Sequence, residues 1–335
     1  MNTKNKNQSV IRGISAFFIL LTHINPFVKE DNIFKAFIFF GYLWVAIFFF
    51  YSGFNLINSY IKNNDKLFKD FWIKKFYRIY LPFVISNMVF ILVKRFLNAE
   101  SFGKRQSLKY IFGINAINNR NWYIYAIIIF YFSAWLVLKV LSKIKPLANK
   151  KWPVLLSTLL IFFIYSVLYF NIAEALEITS HIRNVYPLTL LLGMIYPIYY
   201  DKINKALDKP LIYETLLLLS FFISVLLHYA FVNGYRFFII TPDASDYIVP
   251  ITFTIMVMLI SYKVSLRSKF FEFIDTISLE TYIFHYVFLH LYNNDVISFS
   301  NSYIFLFIYL ITTIIVSILI HKIINLLIKK TLAYN

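Results

Sequence analysis

Cysteine is missing from all 335 residues, which removes disulfides, thiolate nucleophiles and thiolate metal sites together. The six histidines (His23, His181, His228, His285, His290, His321) form no HExxH or comparable ligand pair, so neither a structural nor a catalytic metal is expected. No internal repeat is present, which argues against an inverted-repeat transporter. Charge is scarce too. Only 15% of residues are charged, against 60% hydrophobic and 21% aromatic, and no soluble domain has that balance. Lys4 and Lys6 precede an apolar run as in a signal peptide. No small-residue cleavage site follows, however, and further apolar runs come at once, so a retained first helix is expected.

What is present is a series of apolar runs. A membrane span needs ~20 such residues, and the runs predict an all-α, polytopic bundle of about ten transmembrane helices near 10–28, 33–61, 79–97, 122–142, 152–170, 184–200, 211–232, 247–263, 278–292 and 301–328. The loops left over are too short for a folded extramembrane domain, so residues 1–335 are expected to form one integral-membrane unit. A net charge of +17 points to nucleic acid in a soluble protein. Here the basic residues cluster in short gaps between apolar runs, the pattern of cytoplasmic loops on anionic lipid, so nucleic acid is not expected as a partner. Placing both termini in the cytoplasm puts 23 of the 33 Lys and Arg residues on the inner side. The exception is the gap after the third span, with Lys94, Arg95, Lys104, Arg105, Lys109 and Arg120. Its stretch 98–120 is apolar enough to re-enter the bundle or lie along the interface.

Several residues in the runs are candidates for chemistry. Arg12 and His23 bracket RGISAFFILLTH in the first span. Eleven helical steps place them within ~20° on one face and ~16 Å apart, and ionisable groups in a span usually face a protein interior or wet cavity. A positive-inside anchor and an interfacial histidine are the plainer explanation. Ser52 and Gly53 in the second span are small residues suited to close helix contact. Lys75 and Arg78 share a helix face at the cytoplasmic boundary, where they fit a snorkelling pair or a phosphate clamp. Trp122 heads the fourth span as an aromatic-belt residue would, and Arg183 stands at the outer entrance of the sixth. Ser278, Tyr282 and His285 fall on one face of the ninth span, where a lone histidine is more often simply buried and satisfied.

In this order and at these spacings, the segments resemble the acyltransferase 3 family, the integral-membrane O-acyltransferases of bacterial surface polysaccharides. The resemblance runs from about residue 9 to 325. It rests on Arg12 and His23, on Phe48 to Phe54 ending Ser-Gly-Phe, on Lys75, Arg78 and Pro82, on Trp122, and on Ser278, Tyr282 and His285. Two positions depart from the family. Trp44, Val45 and Ala46 stand where many members have Gly-Val-Asp, which leaves His23 without an identified carboxylate partner. Lys75 replaces an arginine, keeping charge but weakening bidentate phosphate binding. There is also no room for the secreted hydrolase-like domain of some members, so transfer is expected to be completed here or by a separate protein.

The resemblance implies a multi-pass enzyme of the bacterial cytoplasmic membrane that moves an acetyl group from cytosolic acetyl-CoA to a sugar hydroxyl of a polysaccharide, O-antigen, capsule or lipid-linked precursor. In that scheme Arg12, Lys75 and Arg78 hold the phosphates of CoA. His23, on the same helix face as its fellow catalytic candidate Arg12, serves as base for the hydroxyl or carries the acyl group transiently. Ser52, Trp122, Arg183, Ser278, Tyr282 and His285 are further pocket candidates. The rival is a lipid-linked oligosaccharide flippase or polymerase, favoured only by the basic gap after the third span. A small-solute transporter ranks third, because the spans are read as lacking carboxylates.

Overall fold

The computed structural model describes residues 3–24, 41–63, 67–98, 102–148, 150–176, 186–232, 242–293, 297, 299 and 301–333. Among these the chain is helical, without strands. The first half holds α1 (Thr3–Thr22), α2 (Gly41–Lys62), α3 (Phe71–Lys75), a π-helical turn at Phe76–Tyr80, α4 (Leu81–Asn98), α5 (Lys104–Ile111), α6 (Trp122–Lys143), α7 (Lys145–Ala148) and α8 (Lys151–Ala175). The second half holds α9 (Pro187–Ile195), α10 (Tyr200–Leu207), α11 (Pro210–Val232), α12 (Pro242–Lys263), α13 (Lys269–Thr276), α14 (Ser278–Asn293) and α15 (Ser302–Ala333).

Among the described residues, six helices are long and apolar enough to cross a membrane: Gly41–Lys62, Phe71–Leu97, Asn119–Lys143, Lys151–Ala175, Pro210–Tyr229 and Tyr303–Thr331. Within the described residues, which leave out 25–28 and 184–185, the other four spans read from the sequence are largely helical but depart from a plain apolar rod. The first, α1, opens on the polar run TKNKNQS. The sixth, α9, has nine residues before it tightens into a 3-10 turn at Tyr196–Tyr199. The eighth, α12, has Pro250 inside it, and the ninth, α14, has 16 residues.

The outer surface is apolar because lipid is the solvent. On α15, Phe307, Ile311, Ile315, Leu319 and Ile323 are exposed at every fourth residue, which draws one continuous stripe along the helix. Buried hydroxyls return to their own backbones, Ser133 to the Ile129 carbonyl and Thr158 to the Val154 carbonyl, so they need no partner from another helix. The interior is largely aromatic: Phe49 stacks on Trp122 and Tyr186 with ring centroids 6.1 and 5.2 Å away.

Two close crossings fix the frame around the site. α1 packs across α13 where Gly13 meets the Phe271 backbone; a Cβ on Gly13 would overlap the Phe271 carbonyl. α2 packs against α9 through Gly53 and Gly193, whose added Cβ atoms would strike the carbonyls of Leu190 and Phe50. This is the small-residue approach expected of membrane helices.

The basic segment after the third predicted span lies back along α4. Asn87 donates through Nδ2 to the Tyr110 and Ile111 carbonyls at 3.0 and 3.3 Å, and the Tyr80 hydroxyl donates to the Phe112 carbonyl at 3.1 Å. Gly113 turns the chain with φ of 70°, pressed against the Phe83 ring. Lys104 and Arg105 on α5 are exposed.

Gly193→Leu is expected to destabilise the bundle by at least the ~1–3 kcal/mol typical of overpacking, because backbone stands in the way. Gly103→Ala, with open space around it, should change little. Thermal unfolding of the two purified variants in detergent checks the contrast.

Candidate functional site

A cavity of about 1010 Å³ runs through the bundle. Along α1 it is lined by Arg12, Ala16 and Ile19, and along α2 by residues from Lys62 at one end to Val45 at the other. Seventeen helical steps separate those two, so the cavity follows α2 for ~26 Å. One end is cationic, with Lys62, Lys74, Lys75 and Arg78. The π-helical turn carries Arg78, and such single-turn expansions occur often at functional sites. Lys75 sits with Nζ 3.4 Å from the Tyr131 ring centroid, a cation–π contact. Lys74 has Asp70 within 3.7 Å.

Arg12 is held in place by a carboxylate. Its Nη2 lies 2.7 Å from Asp275 Oδ2, which also accepts from the Ser9 hydroxyl at 2.6 Å. Asp275 is 7% exposed and Arg12 32%, so the acid is buried and the guanidinium looks into the cavity. Among the described residues Arg12 Nε has no hydrogen-bond partner. The lining also includes Ser278, Glu280 and Tyr282 of α14 and His321 and Asn325 of α15. His321 Nδ1 lies 2.8 Å from Glu280 Oε1.

Tyr123 and Tyr282 form part of the cavity lining, and their rings meet edge to face at 5.5 Å. The Tyr123 hydroxyl is hydrogen-bonded to Ser52. The Tyr282 hydroxyl donates to the Arg120 carbonyl and accepts from the Tyr123 N–H at 3.4 Å. Behind Tyr282 lie two histidines. His285 is fully buried with its ring 5.9 Å from that of Tyr282, and it stacks on His23 at 4.7 Å. His285 Nδ1 is 2.6 Å from the Tyr282 carbonyl. A carbonyl only accepts, so Nδ1 carries the hydrogen and Nε2 of the neutral ring keeps its lone pair. That Nε2 is buried and, among the described residues, has no hydrogen-bond partner.

The sequence-derived candidates therefore divide into groups. Arg12, Ser52, Lys75, Arg78, Ser278 and Tyr282 share the cavity wall. His23 and His285 are paired with each other just beyond Tyr282. Trp122 is packed in the aromatic stack with Phe49 and Tyr186, 8% exposed. Arg183 lies outside the described residues. Asp275, Glu280 and His321 are not among the sequence-derived site candidates, and Arg120, which carries the carbonyl that Tyr282 bonds, enters there only as part of the basic gap after the third span. The signal existed: Glu280 lies within the span 278–292 that was read as free of carboxylates, and a charged residue in an apolar run is the usual mark of a site.

The acyltransferase domain family, acyltransferase 3, matches residues 8–322, nearly the whole chain. No curated protein and no solved structure matches it. Fold and family together define the class, a multi-pass membrane acyltransferase. The chain belongs to the acyltransferase 3 family.

If Asp275 is what anchors Arg12, the two are energetically coupled. Asp275→Ala and Arg12→Ala should each destabilise the protein, and the double variant should be less destabilised than the sum by ~0.5–3 kcal/mol. A double-mutant cycle on thermal unfolding measures this; strict additivity would show that the pair contributes nothing.

Proposed function

We propose that this protein transfers an acetyl group from cytosolic acetyl-CoA to a sugar hydroxyl of a bacterial surface polysaccharide or its lipid-linked precursor. The carrying observation is one cavity lined by cations and by tyrosines, with the stacked imidazoles of His23 and the buried His285 beside Tyr282. Lys62, Lys74, Lys75 and Arg78 suit the phosphates of CoA. These cations belong to the side with most of the chain's Lys and Arg, which supports a cytoplasmic mouth, ten crossings and both termini inside. The membrane in question is the bacterial cytoplasmic membrane.

In this reading the thioester arm passes Arg12 and brings the acyl carbon towards Tyr282. An imidazole of the His23–His285 pair takes the hydroxyl proton of the acceptor as its oxygen attacks the thioester carbonyl. The new C–O bond forms, the C–S bond breaks, and the departing thiolate receives the proton held by the imidazole. Direct transfer and a transient acyl-imidazole use the same two rings. His285 is the better-oriented partner, since its Nδ1–H is committed to the Tyr282 carbonyl and its Nε2 is free to accept. It also gives His23 a neighbour that the missing helix-2 carboxylate does not supply.

His23→Ala is expected to abolish acetylation of the host glycan, read by mass spectrometry as loss of one acetyl per repeat, while the protein still inserts in the membrane. Full acetylation by that variant would remove His23 from the chemistry. Arg78→Ala should weaken acetyl-CoA binding to the purified protein by roughly tenfold, as for a lost charge-assisted hydrogen bond. A flippase or polymerase should bind no acetyl-CoA at all.

A further inference from the structure

The cavity lining carries two unlike sets of groups. Lys62, Lys74, Lys75 and Arg78 form one; the other is a hydrogen-bonded acid and imidazole, Glu280 on α14 and His321 on α15. A buried carboxylate needs a partner. Glu280, 7% exposed, has His321 at 2.8 Å, while the His321 side chain is 29% exposed and lines the cavity. Since the carboxylate accepts, Nδ1 of His321 carries a hydrogen. The ring's orientation is thereby fixed, and Nε2 is spared for another group. The pair is poorly placed to serve phosphates, because the carboxylate beside it repels anions. It suits neutral polar groups, such as amide N–H, amide C=O and hydroxyl.

We propose that His321, oriented by Glu280, hydrogen-bonds the uncharged arm of the acyl donor, so that the cations hold the donor's phosphates and this pair reads the amides and hydroxyl between phosphate and thioester. The inference rests on the acetyl-CoA reading above and assigns it a second, separable set of contacts. It makes His321 and Glu280 determinants of which thioester is accepted. A donor with the same phosphates but no amide arm gains nothing from them.

The test is binding to the purified full-length protein in detergent, using two probes. Acetyl-CoA has phosphates and arm; adenosine 3′,5′-bisphosphate has phosphates only. His321→Ala should weaken acetyl-CoA roughly tenfold, the scale of one lost hydrogen bond to a charge-coupled group, and leave the bisphosphate unchanged. Retained bisphosphate binding also shows that the variant is folded. His321→Gln places an amide near the Nε2 position and should recover part of the loss. His321→Asn keeps a group only near the Nδ1 position, beside Glu280, and should behave like the alanine variant. Unchanged acetyl-CoA binding by His321→Ala, or equal loss of both probes, overturns the inference while leaving the acetyl-CoA reading intact. Binding of neither probe by the unaltered protein overturns the acetyl-CoA reading and this inference with it.

Discussion

A guanidinium inside an apolar bundle must find both a counter-charge and a polar space, and much of this structure follows from how Arg12 meets that demand. Asp275 supplies the charge at 2.7 Å, and the cavity supplies the space. Neither is available from α1 alone. Asp275 is the penultimate residue of α13, which reaches α1 only because Gly13 lets the Phe271 backbone close in. Breaking such a pair from one side leaves an uncompensated charge, which is why buried ion pairs are sensitive to loss of a single partner. The partial exposure of Arg12 moderates that cost and leaves its guanidinium on the cavity wall.

The same economy recurs at Glu280. Its carboxylate is buried against His321, and the pair faces the cavity instead of lipid. Around the Arg12–Asp275 ion pair and the Glu280–His321 hydrogen bond the bundle sorts its residues by solvent: exposed aliphatic stripes outside, stacked aromatics in the core, and ionisable groups along an internal cavity. Tyr282 joins the channel to what lies beyond. Its ring lines the cavity, its carbonyl orients His285, and its hydroxyl bonds the Arg120 carbonyl in the turn before α6. Movement of that one side chain would disturb the imidazoles and the turn before α6 together.

Hydropathy made the class legible, because ~20-residue apolar runs have few other uses. It served least well where the site is built. α1 and α14 carry Arg12, Tyr282, Glu280 and His285, and both are missing from the six helices that are long and apolar enough to span; the polar residues that give them chemistry also spoil their apolar pattern. Helical spacing did indicate that Arg12 faces inward. It gave no means of knowing that Asp275, 263 residues away, would meet it. His23 shows the opposite limit. A pocket shared with Arg12 was expected from their common face, yet Tyr282 stands between the cavity and the imidazole pair, and the imidazole on the cavity wall itself is His321. Single-helix geometry cannot report a side chain contributed by another helix.

The central claim is that one channel conducts a nucleotide-linked thioester from the cationic mouth past Arg12 to the tyrosine barrier in front of His23 and His285. A structure of the protein with a non-hydrolysable acetyl-CoA analogue bound tests it most directly. The account predicts phosphates against Lys75 and Arg78, the arm beside Arg12, and the acyl carbon next to Tyr282. Density for the analogue elsewhere, with this cavity left to water or lipid, would contradict it.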